Sequence, residues 1–369
     1  MSDKCIHEKE LLYTSMVFIN SMGILLGLAP SARRDSWISI LLAFMLMLPI
    51  AIMLGKIFNK YPNNNFFEII EIILGKVLGK LVTALILVAY IQITFVSIIY
   101  VVNFIKVVIL TELHLIVITI LFLSMIFFIL NRGLRVIVNW SQIILFMEVT
   151  ALILITAMTL PFMDAKNILP IIVGNEKNIL KGVVEALAYP ASQLVFLSSL
   201  FKYCKDESKI TGVLIKMLII SGIFLALINI QNTMVLGDIT KTNVYFSNYQ
   251  AYRRISIGKV FQRMELILSM FFIITEVARI SILCLFVIQG MGTLLSLNNT
   301  ECLILPTILM LLNIIAMEYE SLFTPRENIK VTNAINIIFN YVLVIIIYGI
   351  MMVKELIKLF KTDNKKKYI

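Results

Sequence analysis

Apolar stretches long enough to cross a bilayer recur ten times in these 369 residues, and no other feature limits the possible folds so sharply. About 20 helical residues, rising about 1.5 Å each, span a hydrocarbon core of about 30 Å. The stretches fall at 11–30, 36–58, 81–105, 113–130, 137–160, 179–201, 211–236, 264–293, 302–318 and 333–353. Only 15% of the residues are charged and 60% are hydrophobic, whereas a soluble domain carries about 25% charge. The sequence therefore predicts an all-α membrane protein with ten transmembrane helices. No soluble domain is expected, because the longest polar stretches are 161–178, 237–263 and the C-terminal tail.

Spans one and six, which hold corresponding places in the two halves, are both interrupted at mid-depth. Span one contains Asn20-Ser21-Met22-Gly23-Ile24-Leu25-Leu26-Gly27-Leu28-Ala29-Pro30, and span six contains Glu185-Ala186-Leu187-Ala188-Tyr189-Pro190-Ala191-Ser192-Gln193. An unpaired backbone group in hydrocarbon costs several kcal/mol, so a break is tolerated where it lines a cavity. Matched breaks in two halves point to a transporter-type binding site. Five spans in 1–160 and five in 161–369 give halves of opposite orientation, a five-plus-five inverted repeat within one polytopic domain. The halves share no strong residue-by-residue similarity, so this symmetry rests on span count and on the breaks.

Each break has two readings. Gly23 and Gly27 either permit unwound backbone whose following half-helix aims N–H groups at an anion such as a carboxylate, or form a small-xxx-small contact between close helices. The span-one sequence alone leaves both open. Pro190 removes one N–H and frees a carbonyl near Ala186, with Ser192 and Gln193 as partners for the opened backbone. A plain proline kink is the alternative, weakened by the matching interruption in span one.

Embedded charge is expensive in a bilayer and marks candidate functional positions. Glu276 and Arg279, three residues apart, share one face of span eight. They are either a functional pair or a structural ion pair locking span eight to span one. Glu148 lies deep in span five, while Lys216 is close enough to the inner edge of span seven to snorkel. Tyr90, Thr94 and Ser97 form a polar stripe at i, i+4 and i+7 on span three, for ligand contact or for interhelical packing.

Several function classes are disfavoured. Cys5, Cys204, Cys284 and Cys302 form no CxxC pair, and His7 and His114 stand apart, so no cofactor or metal site is expected. No nucleophile, phosphate-binding or dinucleotide motif is present, which disfavours an enzyme. The charge of +10 is densest at Lys354, Lys358, Lys361, Lys365, Lys366 and Lys367, a juxtamembrane cluster that fixes topology and meets anionic lipid rather than nucleic acid. Placing that tail inside puts both termini in the cytoplasm. Ala29-Pro30-Ser31 has the small residues of a cleavage site, yet the apolar run before it is too long for a signal peptide, and span one is expected to stay. Phe66 to Leu74 reads as an amphipathic helix lying in the interface.

Taken together, Asn20 to Pro30, Arg34-Asp35-Ser36-Trp37-Ile38-Ser39, Lys60-Tyr61-Pro62 and Phe261-Gln262-Arg263-Met264-Glu265 resemble the spore germination protein family. These are the membrane-embedded B subunits of Ger-type germinant receptors, placed among the amino acid permeases. The resemblance implies a LeuT-like fold with broken helices 1 and 6 and a small germinant, an amino acid, held between them and walled by spans three and eight. On matching positions it nominates Gly23, Ile24, Leu25 and Leu26 in span one and Tyr189, Pro190 and Ala191 in span six, with Arg279 where relatives carry a basic residue. It also implies A-type and C-type partner subunits and the spore inner membrane, while Arg279 speaks against sodium coupling. The sequence departs from the family pattern at Gly27, displaced from the usual Gly-x-Gly, and at Gln193, where a Glu is common. The resemblance supports a germinant sensor first and an amino acid transporter, proton-coupled or uncoupled, second, in which Glu148 or Glu276 would carry the proton.

Overall fold

The computed structural model describes residues 6–237, 246, 248–249, 264–317 and 332–366, and for 264–268 and 360–366 the backbone alone. Every regular element among them is helical; extended pairing is limited to one parallel bridge between Ile6 and Cys204. The helices are α1 (Glu8–Asn20), α2 (Ser36–Lys60), α3 (Phe66–Leu74), α4 (Lys76–Phe104), α5 (Leu115–Arg132) and α6 (Leu134–Thr159). The second half holds α7 (Glu176–Ala188), α8 (Ser198–Phe201), α9 (Ile210–Leu236), α10 (Met264–Leu294), α11 (Ile304–Met317) and α12 (Leu343–Lys366). The Phe261-Gln262-Arg263 piece, Cys5 and Lys367 lie outside the described residues, as do the side chains of Met264, Glu265, Lys361, Lys365 and Lys366.

Among the described residues, eight helical segments are long and apolar enough to cross a membrane. α1, with 13 residues, and α11, with 14, are shorter. The expected boundaries hold within a few residues for spans two to seven and differ most at span one. There the helix stops at Asn20, a 3-10 turn covers Ser21–Ile24, and a second 3-10 stretch, Pro30–Asp35, leads directly into α2. The half-helix expected after the break does not form. Ala29 adopts a left-handed conformation (φ 50°), uncommon for a residue with a Cβ, and turns the chain into that second stretch.

α10 is the enclosed axis of the bundle: 83% of its apolar window is buried, against 22% for the α6 segment. It packs on α1, α4, α5 and α6, while α1 lies between α6 and α9 and α2 rests on α7 and α9. The outer face of α6 carries exposed Ile143, Phe146, Val149, Ile153 and Leu154, as a lipid-facing surface does. The amphipathic helix exists, with a correction to its surroundings. Asn65 caps α3, its Oδ1 accepting from the N–H groups of Phe67 and Glu68, while Glu68 accepts from the Asn65 N–H at 2.8 Å, a capping box. Its apolar residues Phe66, Phe67, Ile69, Ile70 and Ile73 are buried on the protein itself, against α4, α10 and α12, rather than laid into lipid.

The N-terminal end is tied to the same side of the bundle as the loop after α8. Ile6 exchanges backbone hydrogen bonds with Tyr203 and Lys205, Arg135 forks onto the Glu10 carboxylate at 3.0 and 2.8 Å, and Lys216 pairs with Glu8 at 3.0 Å. Lys216 thus ends at an exposed edge, as its position in span seven predicts.

Close helix approach is set by small residues. A Cβ at Gly182 on α7 would lie 2.6 Å from Ala32 Cβ and 2.8 Å from Ser39 Oγ, whereas one at Gly212 on α9 would meet nothing within 4 Å. Alanine gains about 1 kcal/mol over glycine in a helix, and overpacking costs about 1–3 kcal/mol. Gly212→Ala is therefore expected to hold or raise the thermal midpoint of the purified protein, and Gly182→Ala to lower it. Equal midpoints for the two variants would contradict this packing.

Candidate ligand-binding site

The second break has the form the sequence predicts. α7 ends at Ala188, Tyr189 is extended (φ −154°, ψ 126°), a cis peptide joins it to Pro190, and a 3-10 stretch runs over Ala191–Leu197. Ser192 Oγ serves as a partner for the opened backbone, donating to the Ala188 carbonyl at 2.9 Å. Ala188 is the residue one turn before Ser192, which places its carbonyl within reach of that hydroxyl. Gln193 turns its side chain away from the backbone and into the bundle.

There it meets Arg279, 1% exposed and the largest fully buried side chain among the described residues. The guanidinium donates from Nη1 to Glu276 Oε2 at 3.1 Å and from Nη2 to Gln193 Oε1 at 2.6 Å, with Ser97 Oγ at 3.4 Å. The rings of Phe18, from α1, and Tyr189 lie 5.7 and 5.5 Å from its carbon. One cation thus touches the helix before the first break, the residue at the second, the polar stripe of α4 and its own helix. The pair on span eight thus reaches span one through Phe18 and span six through Gln193 and Tyr189.

The first break carries the opposite polarity to the one expected. The N–H groups of Leu25 and Leu26 are consumed by the Met22 carbonyl, at 3.2 and 2.9 Å. Because the 3-10 turn keeps its N–H groups in local bonds, carbonyls remain, and Asn248 Nδ2 approaches three of them: Gly23 at 2.8 Å, Ile24 at 3.3 Å and Leu26 at 3.1 Å. At these carbonyls the break faces a hydrogen-bond donor. Gly23 is buried, and a Cβ there would sit 2.4 Å from Leu225 Cδ2 of α9, so the close-contact reading applies to the same residue. Leu25 is buried; Ile24 and Leu26 are half-buried.

The remaining candidates divide. Tyr90 Oη donates to Asn340 Oδ1 at 2.8 Å, and its ring packs edge-on against Phe196 and Phe286, tying α4 to the last span. Thr94 bonds the Tyr90 carbonyl at 2.8 Å on its own helix. Both take the packing role, whereas Ser97 joins the Arg279 cluster. Pro190 and Ala191 are buried at the second break, beside Tyr189, whose buried hydroxyl has no hydrogen-bond partner. Glu148 is 4% exposed and neither carboxylate oxygen is bonded; Glu276 Oε1 and both amide atoms of Asn20 are likewise unbonded. Glu148 faces Asn20 and lies within electrostatic reach of Glu276.

This geometry of buried polar groups around two broken spans sits inside a segment with a recognisable family pattern: the family model described as spore germination protein matches residues 6–324. The chain belongs to the spore germination protein family. As a member of it, and with its apolar helices, this spore germination protein is a multi-pass membrane protein of a permease and receptor type rather than of an enzyme family. No curated protein matches the sequence. Within this spore germination protein, sequence reasoning nominated the residues of both breaks and the three embedded charges. It passed over Asn20 as a ligand group and Asn248 altogether; Asn20 was legible as an amide at the last turn before the break, but Asn248 belongs to a stretch whose sequence is polar and without periodicity.

Breaking one partner of a buried ion pair costs about 3–5 kcal/mol, because the other charge is left uncompensated. Arg279→Met is therefore expected to lower the thermal midpoint of the purified protein steeply, and Glu276→Gln/Arg279→Met to recover most of the loss. A double variant no more stable than the single one would show that the pairing does not dominate.

Proposed function

We propose that this chain is the ligand-binding membrane subunit of a spore nutrient-germinant receptor, taking a small germinant, an amino acid, between its two broken spans. The observation that carries the reading is the Arg279 cluster: a single buried guanidinium abuts Phe18 at the approach to the first break and Tyr189 and Gln193 at the second. A ligand wedged between the breaks would alter contacts of four helices at once and shift the population of bundle conformations. The arrangement fits ten spans in a LeuT-like five-plus-five inverted repeat, 1–160 and 161–369. The eight long apolar helices among the described residues, with the broken α1 and the shorter α11, support this reading. Both termini would then be cytoplasmic, with the protein in the spore inner membrane beside A-type and C-type partner subunits.

A permease that moves its amino acid is the second reading, favoured by one observation: Glu148 is a buried carboxylate without a hydrogen bond, as a proton carrier between states would be.

Binding of labelled amino acids to the purified protein, beside uptake into liposomes, separates the readings. The receptor reading expects saturable binding of at least one amino acid, weakened tenfold or more in Tyr189→Ala, with no uptake. Uptake against a blank of empty liposomes would establish the permease, and binding indifferent to Tyr189→Ala would move the site away from the second break.

A further inference from the structure

Five charged side chains are buried among the described residues: Asp35, Glu148, Glu207, Glu276 and Arg279. Asp35 accepts from Asn175 Nδ2 at 2.7 Å and from the Ile172 N–H, and Glu207 accepts from the Asn63 N–H. The other three belong to the bundle interior, and they do not balance. By formal count two carboxylates stand against one guanidinium, leaving one negative charge, and of the two only Glu276 bonds Arg279. Of the unbonded atoms on these residues and on Asn20, four are acceptors, Glu148 Oε1 and Oε2, Glu276 Oε1 and Asn20 Oδ1, and one, Asn20 Nδ2, is a donor. Asn20 is 0% exposed, and its amide lies beside the Glu148 carboxylate.

The neutral acceptors of the first break are in a different condition. The carbonyls of Gly23, Ile24 and Leu26 already receive Asn248 Nδ2. A cationic donor entering between the spans meets carbonyls that already share one amide donor and carboxylate oxygens that have none.

We propose that Glu148, Glu276 and Asn20 form the recognition site for a primary ammonium group, and that the germinant is selected first as an amine. The inference rests on the ligand-binding reading above and names the chemistry of that ligand. A primary ammonium brings one positive charge and three N–H donors, which match the residual charge and the unbonded acceptors on three helices. Charge-assisted hydrogen bonds to carboxylate are also the stronger kind. Asn20 is the last residue of α1, so an ammonium held there acts directly on the backbone that unwinds at Ser21.

The test uses the purified full chain and three probe sets: alanine, ethylamine and propionate; leucine, isoamylamine and 4-methylpentanoate; phenylalanine, phenethylamine and 3-phenylpropionate. Binding is read by thermal shift and by competition with the labelled amino acid. The expected result is that at least one amino acid and its amine bind, that the matching acid does not, and that Glu148→Gln weakens both tenfold or more. Asn20→Ala, which removes no charge, is expected to weaken them several-fold and covers the case in which Glu148→Gln fails to fold. Amino acid binding that survives both substitutions, or an acid that binds where its amine does not, overturns the ammonium site and leaves the ligand-binding reading standing. Binding tightened by Asn248→Ala and indifferent to Glu148→Gln would put the ammonium on the carbonyls, with the same consequence. Displacement of the amine by excess potassium chloride, with choline chloride inert, would make this a metal-cation site and overturn the amine assignment. Failure of every probe to bind the folded wild-type chain overturns the ligand-binding reading, and this inference with it.

Discussion

Everything in the bundle interior is arranged around the Arg279 guanidinium. Moving an ion into a low-dielectric interior costs several kcal/mol even after relaxation, and the cost is offset only where geometry and hydrogen bonding are good. Arg279 meets that condition by drawing on four elements: Glu276 from its own helix, Gln193 from beyond the second break, Ser97 from α4, and the rings of Phe18 and Tyr189. Arginine suits the task because its planar fork offers several donors at fixed angles and stacks against aromatic faces. Sliding any of these helices by one turn would strand the charge, so the position of both breaks is fixed relative to α10. Gln193 fits the same logic: a neutral acceptor there binds the guanidinium without adding a third carboxylate to a cluster that already has two.

What the sequence made legible follows from what hydrocarbon demands. A span needs length, apolarity and paired backbone, and all three leave marks in a single sequence. The α5 and α6 boundaries, expected at 113–130 and 137–160, fall at Leu115–Arg132 and Leu134–Thr159. The break at Pro190 was legible because proline has one local consequence, the loss of an N–H. The break at Gly23 was located but misread in form, since Gly23 to Ala29 is as apolar as any helix and nothing local says that Ala29 turns left-handed. The contacts around the break are tertiary, with Leu225 against Gly23 and Asn248 against the carbonyls.

The side-chain roles separate along the same line. Periodicity placed Tyr90, Thr94 and Ser97 on one face and could not say that only Ser97 reaches Arg279, because that depends on how α4 and α10 are rotated about their axes. Asn248 belongs to a segment whose sequence is polar and aperiodic, so its placement against span one is a purely tertiary fact. Glu148 is the reverse case. Its depth was legible from hydropathy alone, and its lack of a hydrogen bond is a property of the neighbours that packing gives it.

Two kinds of polar group therefore stand on either side of the first break, and they respond differently to charge. The carbonyls of Gly23, Ile24 and Leu26 are neutral and are met by a neutral amide, an arrangement that is stable whatever the charge nearby. Glu276 bonds the guanidinium and Glu148 lies within electrostatic reach of Glu276, so a change of charge at either carboxylate bears on the Arg279 cluster. The stretch Ser21 to Ala29 is also the part of span one outside regular α-helix, and segments of that kind open at the lowest free energy. A charge change at the carboxylates therefore acts where span one yields most readily, and through Arg279 it acts on Tyr189 and Gln193 in the same step. Coupling between the halves then needs no long pathway, because one guanidinium touches Phe18 before the first break and Tyr189 and Gln193 at the second.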